Sequence, residues 1–141
     1  MSIALERSYR FSAAHQYHRP EWSQADNLRR FGKCSYAPGH GHNYRLTLRV
    51  SGAIDAASGF LVDLVELDRA VQSAVVDRLD HRHINHAIAE FAPGQAIPTS
   101  ENLALWIRDR ILEILPEGVT LVSVRLAEED DLAAVWTADS H

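Results

Sequence analysis

The chain has 141 residues, of which 46% are hydrophobic and 23% charged, and its formal net charge is −5. This length and composition predict one globular domain over residues 1–141 with an ordinary hydrophobic core. The negative charge argues against a general nucleic-acid-binding or anionic-membrane-binding protein, and no apolar run is long enough to span a bilayer. The single cysteine excludes an internal disulfide and we see no signal peptide, so we expect a cytoplasmic protein.

In chain order, the first half of the sequence predicts two strands separated by a long loop. Residues 3–15 alternate between polar and apolar side chains, which is typical of a half-buried strand. Residues 16–33 predict a loop with a short helical turn after Ser23, and loops of this length in compact domains are often functional. Residues 43–52 alternate again and predict the second strand, which a turn at residues 55–59 ends.

Two helices are predicted next. Apolar residues recur at helical spacing over residues 63–80, with charged residues on the opposite side. Residues 81–98 contain two prolines and a glycine, and they predict a loop. Thr99 or Ser100 can cap a second helix, which ends at Pro116.

Two further alternating segments, residues 119–127 and 133–138, predict the third and fourth strands. The order strand, strand, helix, helix, strand, strand predicts an α+β fold, in which a four-stranded antiparallel sheet carries both helices on one face. Such a sheet has two open edges. Because open edges tend to pair, we expect a homo-oligomer joined through them.

Three histidines predict a metal site at one end of this sheet. His40 and His42 begin the second strand, and side chains two residues apart in a strand share a face. His15 ends the first strand, so antiparallel pairing brings all three imidazoles together. Zinc favours nitrogen and sulfur ligands, and catalytic zinc keeps three protein ligands and one open position. The alternative is that these three are surface or capping histidines. For four further histidines we expect only a structural role: His18, His83, His86 and His141.

Cys34 lies close to the predicted metal site in sequence and follows Lys33. Positive neighbours lower the pKa of a thiol and favour the thiolate. From the residues alone, Cys34 could be a fourth metal ligand, a base, a nucleophile or a buried bystander.

Three further segments outside the predicted metal site allow either a chemical or a structural interpretation. Asp80 next to His81 can fix the imidazole tautomer, or the pair can be a charged helix end. Capping chemistry alone explains the sequence from Thr99 to Glu101. Glu128, at a strand end, can be a solvated charge or can accept two N–H groups from an aminopyrimidine ring.

Together these segments resemble the 6-pyruvoyl-tetrahydropterin synthase family, which includes the 6-carboxy-tetrahydropterin synthases of the queuosine pathway. The resemblance runs nearly end to end and is most specific in the central block. The matching segments are Phe11-Ser12-Ala13-Ala14-His15, Asp26-Asn27-Leu28, Phe31-Gly32-Lys33-Cys34, Gly39-His40-Gly41-His42-Asn43-Tyr44, Gly59 to Leu64, Leu79-Asp80-His81 with Asn85, Pro98 to Asn102, and Val124 to Glu128.

The resemblance implies a set of residue roles and an assembly. It implies zinc on the three histidines His15, His40 and His42, with Cys34 as the catalytic base. It implies that Asp80-His81 of a neighbouring subunit is the proton-transfer partner of that base. Glu128 matches the carboxylate that anchors the pterin ring, and Thr99, Ser100 and Glu101 match a segment near the ring. In the family's tunnelling fold, the subunits assemble as trimers that close a β-barrel, and the trimers usually stack into hexamers.

The implied activity is that of a zinc-dependent lyase, which eliminates triphosphate from 7,8-dihydroneopterin triphosphate to give 6-pyruvoyl-tetrahydropterin. Five residues separate Cys34 from His40, a spacing that is similar to the pyruvoyl-forming enzymes. Glu129 and Leu132 depart from the family's usual threonine and asparagine. The alternatives are the carboxy-forming reaction on the same substrate, and a non-catalytic pterin- or purine-binding protein with structural zinc, which would need neither Cys34 nor Asp80-His81.

Overall fold

The computed structural model describes residues 3–139, so His141 lies outside the described residues. Ten helices and strands follow one another within them: β1 (Ala4–His15), α1 (Gln24–Phe31), β2 (His40–Ser51), α2 (Leu64–Val71), α3 (Asp77–Leu79), β3 (Arg82–His83), α4 (Ile84–Ala87), α5 (Ser100–Ile114), β4 (Thr120–Glu129) and β5 (Leu132–Thr137). A π-helical turn over Gln72–Val76 joins α2 to α3, and 3-10 turns follow α1 and α4.

The α+β class is confirmed, but the sheet has five strands, in the order β3-β1-β2-β4-β5. The four long strands pair antiparallel, as predicted. The fifth, β3, pairs parallel with β1 over only two residues, so the prediction of a purely antiparallel four-stranded sheet is wrong. Two residues are too few for the alternation that reveals a strand in a sequence. β2 begins at His40, as the predicted metal site requires and three residues before the alternating segment 43–52.

The predicted helical turn after Ser23 is present and is longer than expected, since α1 runs for eight residues. The Ser23 side chain accepts a hydrogen bond from the Asp26 backbone N–H at 3.0 Å and caps the helix. The buried Asn27 side chain donates to the Arg19 and Ser23 carbonyls and accepts from the Arg19 N–H at 2.7 Å. Asn27 therefore fixes the segment between His15 and Cys34 in place of an apolar core contact.

The hydrophobic core lies between one face of the sheet and the helices α2 and α5. Its fully buried members include Leu46, Leu48, Val50, Leu67, Val71, Leu103, Ile107, Ile111, Val124 and Leu126. Because β2 alternates, His40, His42 and Tyr44 share this face with Leu46 and Leu48. The sheet thus presents the histidines at the end of its apolar, helix-covered side.

No helix within residues 3–139 combines the length and the apolar character needed to cross a bilayer.

Candidate active site

The antiparallel register of β1 and β2 brings three imidazole rings together. His15 lies opposite His40, and Ala13 lies opposite His42. The ring centroids of His15 and His42 are 4.8 Å apart, those of His40 and His42 are 4.8 Å apart, and those of His15 and His40 are 5.2 Å apart. The cluster therefore follows directly from the strand pairing.

Two ring nitrogens in this cluster have the character of unsatisfied metal ligands. The Nε2 atoms of His15 and His42 are buried and have no hydrogen-bond partner within residues 3–139. Burial, followed by the neighbouring His42 and His40, lowers the pKa of His15 to about 3, so its ring is neutral. Buried polar atoms without partners are costly, and a neutral imidazole nitrogen is a good zinc ligand. The donor set therefore fits a divalent transition metal.

Glu128 lies against the same two nitrogens and is 9% exposed. Its Oε1 atom is 3.5 Å from His15 Nε2 and 3.4 Å from His42 Nε2, at or beyond the upper limit of hydrogen bonding. The ligand atoms of His15, His42 and Glu128 all lie within 4.8 Å of one another, as do those of His15, Cys34 and His40. The two groups share His15, so Cys34 and Glu128 each lie within reach of an ion at the histidine cluster.

Cys34 lies in the 3-10 turn Gly32–Ser35, with its Sγ atom 3.7 Å from Nε2 of His40. Burial, followed by the charges of Glu128 and Glu129, raises the pKa of the thiol. The expectation that a positive neighbour lowers this pKa is therefore wrong for the chain alone, because burial and the two carboxylates set the direction of the shift. A cation held by the adjacent histidines would favour the thiolate instead.

Asp80 and His81 form a pair outside the histidine cluster. Asp80 Oδ2 is 3.0 Å from His81 Nδ1, and Asp80 Oδ1 accepts the Ser12 N–H at 2.8 Å. The Ser12 hydrogen bond, more than His81, lowers the pKa of Asp80 and keeps the carboxylate charged. The His81 side chain is 83% exposed, and within residues 3–139 no hydrogen bond or ion pair joins it to Cys34. The imidazole is thus fixed in orientation and presented at the surface.

Two of the remaining motif residues, Thr99 and Asn85, have local structural roles. Thr99 caps α5 by accepting the Asn102 N–H at 3.2 Å. Ser100 is buried, and its Oγ has no hydrogen-bond partner within residues 3–139, whereas Glu101 is exposed. The role of Thr99, Ser100 and Glu101 near the pterin ring remains a prediction.

Asn85 accepts the backbone N–H of the residue after His15 and donates to the Phe91 carbonyl, which explains its place in the motif.

Two tyrosines belong to the site although sequence reasoning did not assign them. The Tyr17 ring lies 4.4 Å from the His15 ring, its hydroxyl donates to Glu128 at 3.2 Å, and its backbone N–H donates to the Cys34 carbonyl. The Tyr44 hydroxyl is 2.9 Å from His15 Nδ1. Tyr44 could have been found, since it follows His42 by two residues on the same strand face. Tyr17 lies in a loop, where no periodicity marks its direction.

Known proteins match the chain over almost its whole length. The family described as 6-pyruvoyl tetrahydropterin synthase matches residues 4–139. The 6-pyruvoyl tetrahydrobiopterin synthase of Homo sapiens is 35% identical over 135 residues, covering 96% of this chain and 91% of the human one. The Drosophila melanogaster enzyme is 39% identical over 124 residues, covering 88% and 73%. The structure of the Caenorhabditis elegans 6-pyruvoyl tetrahydropterin synthase superposes with a TM-score of 0.87 at 31% identity, covering 99% and 97%.

Proposed function

Because the chain belongs to the 6-pyruvoyl tetrahydropterin synthase family, whose members are lyases of pterin biosynthesis, we propose that it acts on 7,8-dihydroneopterin triphosphate. It eliminates triphosphate and forms 6-pyruvoyl-tetrahydropterin, and it depends on zinc. The observation that carries this proposal is the pair of buried Nε2 atoms of His15 and His42, which have no hydrogen-bond partner within residues 3–139, with the only cysteine 3.7 Å from His40.

His15, His40 and His42 hold the zinc in this proposal. A zinc ion bound there acts as a Lewis acid toward oxygens of the substrate side chain and makes the adjacent C–H and O–H groups more acidic. Cys34 removes a proton from the side chain as a general base. The thiol is half-buried beside His40, so it can face a side chain that lies over the histidines.

Glu128 holds the pterin ring. A carboxylate accepts two N–H groups in parallel, and the ring's amino and imino groups present such a pair. The Tyr17 hydroxyl supports the carboxylate by donating to it at 3.2 Å. The ring and the side chain of the substrate are then recognised by neighbouring residues of one cluster.

His81 handles the second proton, and Asp80 keeps its imidazole in one tautomer through the 3.0 Å contact at Nδ1. Since His81 is exposed and does not contact Cys34 of its own chain, it acts on the Cys34 site of a neighbouring subunit. The active site is therefore built from two chains, in agreement with the role that the family resemblance implies.

Product analysis tests this proposal. The purified protein is incubated with 7,8-dihydroneopterin triphosphate, and the product is identified by mass. Release of triphosphate with all three side-chain carbons retained supports the proposal. Cys34→Ala is the matched control: it should keep its zinc and lose turnover by about 10²–10⁴-fold, because it removes a base and no ligand. Loss of zinc from Cys34→Ala would make Cys34 a ligand and contradict this mechanism.

A second candidate is cleavage of the side chain. The chain is 33% identical over 121 residues to the dihydroneopterin monophosphate aldolase of Pyrococcus furiosus, covering 86% of this chain and 85% of that one. The same mass measurement separates the two, because cleavage releases carbon atoms of the side chain with the phosphate group.

A further inference from the structure

His83 makes a contact that the proposed reaction does not use. Its ring lies in β3, where His83 pairs with Ala14 of β1, and its Nε2 atom is 2.6 Å from the Pro38 carbonyl oxygen. A carbonyl only accepts, so Nε2 carries the hydrogen and donates it. The Nδ1 atom is buried without a hydrogen-bond partner within residues 3–139, and the His86 ring stacks on the imidazole at 4.2 Å. The ring therefore has one strong polar contact, to Pro38.

Pro38 belongs to the turn of residues 36–39, which joins Cys34 to the metal-binding end of β2. Residues 36–38 of this turn are exposed. Backbone and side-chain bonds from Tyr17 and Gln16 hold Cys34 and Ser35, but they stop before the turn. Within residues 3–139 the His83 bond is the one side-chain hydrogen bond that reaches it. At its far end Gly39 packs so closely on His15 that an added Cβ would lie 2.0 Å from the His15 carbonyl oxygen.

The donor comes from a segment that is hydrogen-bonded to β1. Asp80 and His81 make two hydrogen bonds to β1. Asp80 accepts the Ser12 N–H at 2.8 Å, and the His81 N–H donates to the Ser12 carbonyl at 2.6 Å. His83 follows His81 by two residues and is itself paired with β1. The His83 imidazole thus links the turn to β1.

We propose that His83 is a positioning residue for Cys34. Its bond to Pro38 holds the turn so that the thiol stays beside His40 Nε2, at 3.7 Å. This inference rests on the proposed function for the catalytic role of Cys34. It adds that the short segment from Asp80 to His83 serves two sites: His81 acts in a neighbour's site, and His83 orders Cys34 in its own.

The test compares two substitutions at one position. His83→Phe keeps the ring and its stacking but has no donor, whereas His83→Gln keeps a donor at the distance of Nε2. His86→Phe is the control, since it preserves the stack and leaves the Pro38 bond alone. Cys34 is the only cysteine, so its alkylation by iodoacetamide reports the turn without any substrate. Zinc content and turnover are measured on the same samples.

We expect His83→Phe to keep its zinc and to be alkylated about three- to tenfold faster, the change that loss of one hydrogen bond gives. Its kcat should fall about tenfold with little change in KM, because a misplaced group slows chemistry more than binding. His83→Gln should restore both values, and His86→Phe should match the unmodified protein. If His83→Phe does not fold, His83→Asn, whose amide is too short to reach Pro38, takes its place.

Unchanged alkylation and kcat in His83→Phe would overturn the proposal, as would a Gln variant as impaired as the Phe variant. An altered alkylation rate with unchanged kcat would also overturn it, because the bond would then order the turn without serving catalysis. If the unmodified protein does not turn over dihydroneopterin triphosphate at all, the proposed function fails. The alkylation rates then still decide whether His83 holds Cys34.

Discussion

At the scale of single residues, Glu128 lies directly against the histidine cluster. It is nearly buried, and Tyr17 donates a hydrogen bond to it. It also lies 3.4–3.5 Å from two histidine nitrogens that lack a hydrogen-bond partner among the described residues. A negative charge in this place needs either a cation or N–H donors around it. A cation held by the histidines and the N–H groups of a pterin ring would supply them.

Glu128→Gln should weaken substrate binding while zinc content stays the same. The amide keeps the shape of the side chain but replaces one acceptor oxygen with a donor, so one N–H of the ring is left unpaired. The cost of such a mismatch is ~1–3 kcal/mol. Equilibrium binding of the pterin, measured by fluorescence, checks this, and unchanged affinity would place the ring elsewhere.

Tyr44→Phe should weaken zinc binding. When His15 Nδ1 donates to the Tyr44 hydroxyl at 2.9 Å, the lone pair of Nε2 faces the cluster, and removing the hydroxyl removes this control. Loss of such an outer contact typically lowers metal affinity about 10- to 100-fold. Competition with a fluorescent chelator measures it. Tyr9→Phe is the control, since it removes a phenol that bonds Asp68 away from the site, and equal zinc affinity in all three proteins would refute the role.

At the scale of elements, a polar contact ties β1 to α2. Asp68 accepts two bonds from the Arg7 guanidinium, at 2.6 and 3.0 Å, and a third from the Tyr9 hydroxyl at 2.7 Å. Arg7, followed by Tyr9, holds the pKa of Asp68 below its usual range. Because the folded-state pKa is lowered, the stabilisation is complete above the unfolded-state pKa and is lost as the pH falls through the folded value.

Asp68→Asn should therefore lower the melting temperature at neutral pH but not in acid. The difference from the unmodified protein should shrink between about pH 5 and pH 2, where the aspartate itself becomes neutral. Asp26→Asn, which breaks an exposed pair with Arg29, is the control and should change little. A difference for Asp68→Asn that persists undiminished at the lowest pH would mean that the charge of Asp68 is not its cause.

The long helices and strands could be predicted from the sequence because their hydrophobic pattern repeats many times. β1, β2, β4 and α5 each repeat their pattern over ten or more residues, and the caps of α5 are explicit. β3 has two residues, so no period exists to detect. For α1 the sequence indicates only a short helical turn after Ser23, because it does not show the hydrogen bonds that the buried Asn27 makes.

The site divides in the same way. His15, His40 and His42 were predictable because strand register alone brings them together. The raised pKa of Cys34 was not, since it depends on burial and on Glu128, which is far away in sequence. The contacts of Tyr17 and His83 were not predictable either. Tyr17 lies in a loop and His83 in a two-residue strand, and each contacts a segment distant in sequence.

At the scale of the whole molecule, the sheet has two open edges. Within the described residues, β3 covers β1 only at Ala13 and Ala14, and β5 ends the sheet on the other side with Leu132 and Val135 more than half exposed. Exposed edges pair readily with other chains. We therefore predict a closed ring in solution, and light scattering coupled to size exclusion should find no stable monomer.

The ring is also what would bring His81 of one chain to Cys34 of the next. In a single chain His81 is exposed and has no contact with Cys34, so an active monomer would leave its catalytic role unexplained. The proposed active site is therefore shared between two chains, and this arrangement can be tested without a crystal.

Mixed assemblies of two inactive variants test it most directly. Cys34→Ala and His81→Ala chains are unfolded together, refolded in equal amounts, and assayed for turnover, with mixing confirmed by native mass spectrometry. If each site takes Cys34 from one chain and His81 from another, random mixing leaves about a quarter of the sites intact, and about that fraction of the activity should return. Mixed assemblies that stay as inactive as either variant alone would contradict the shared site.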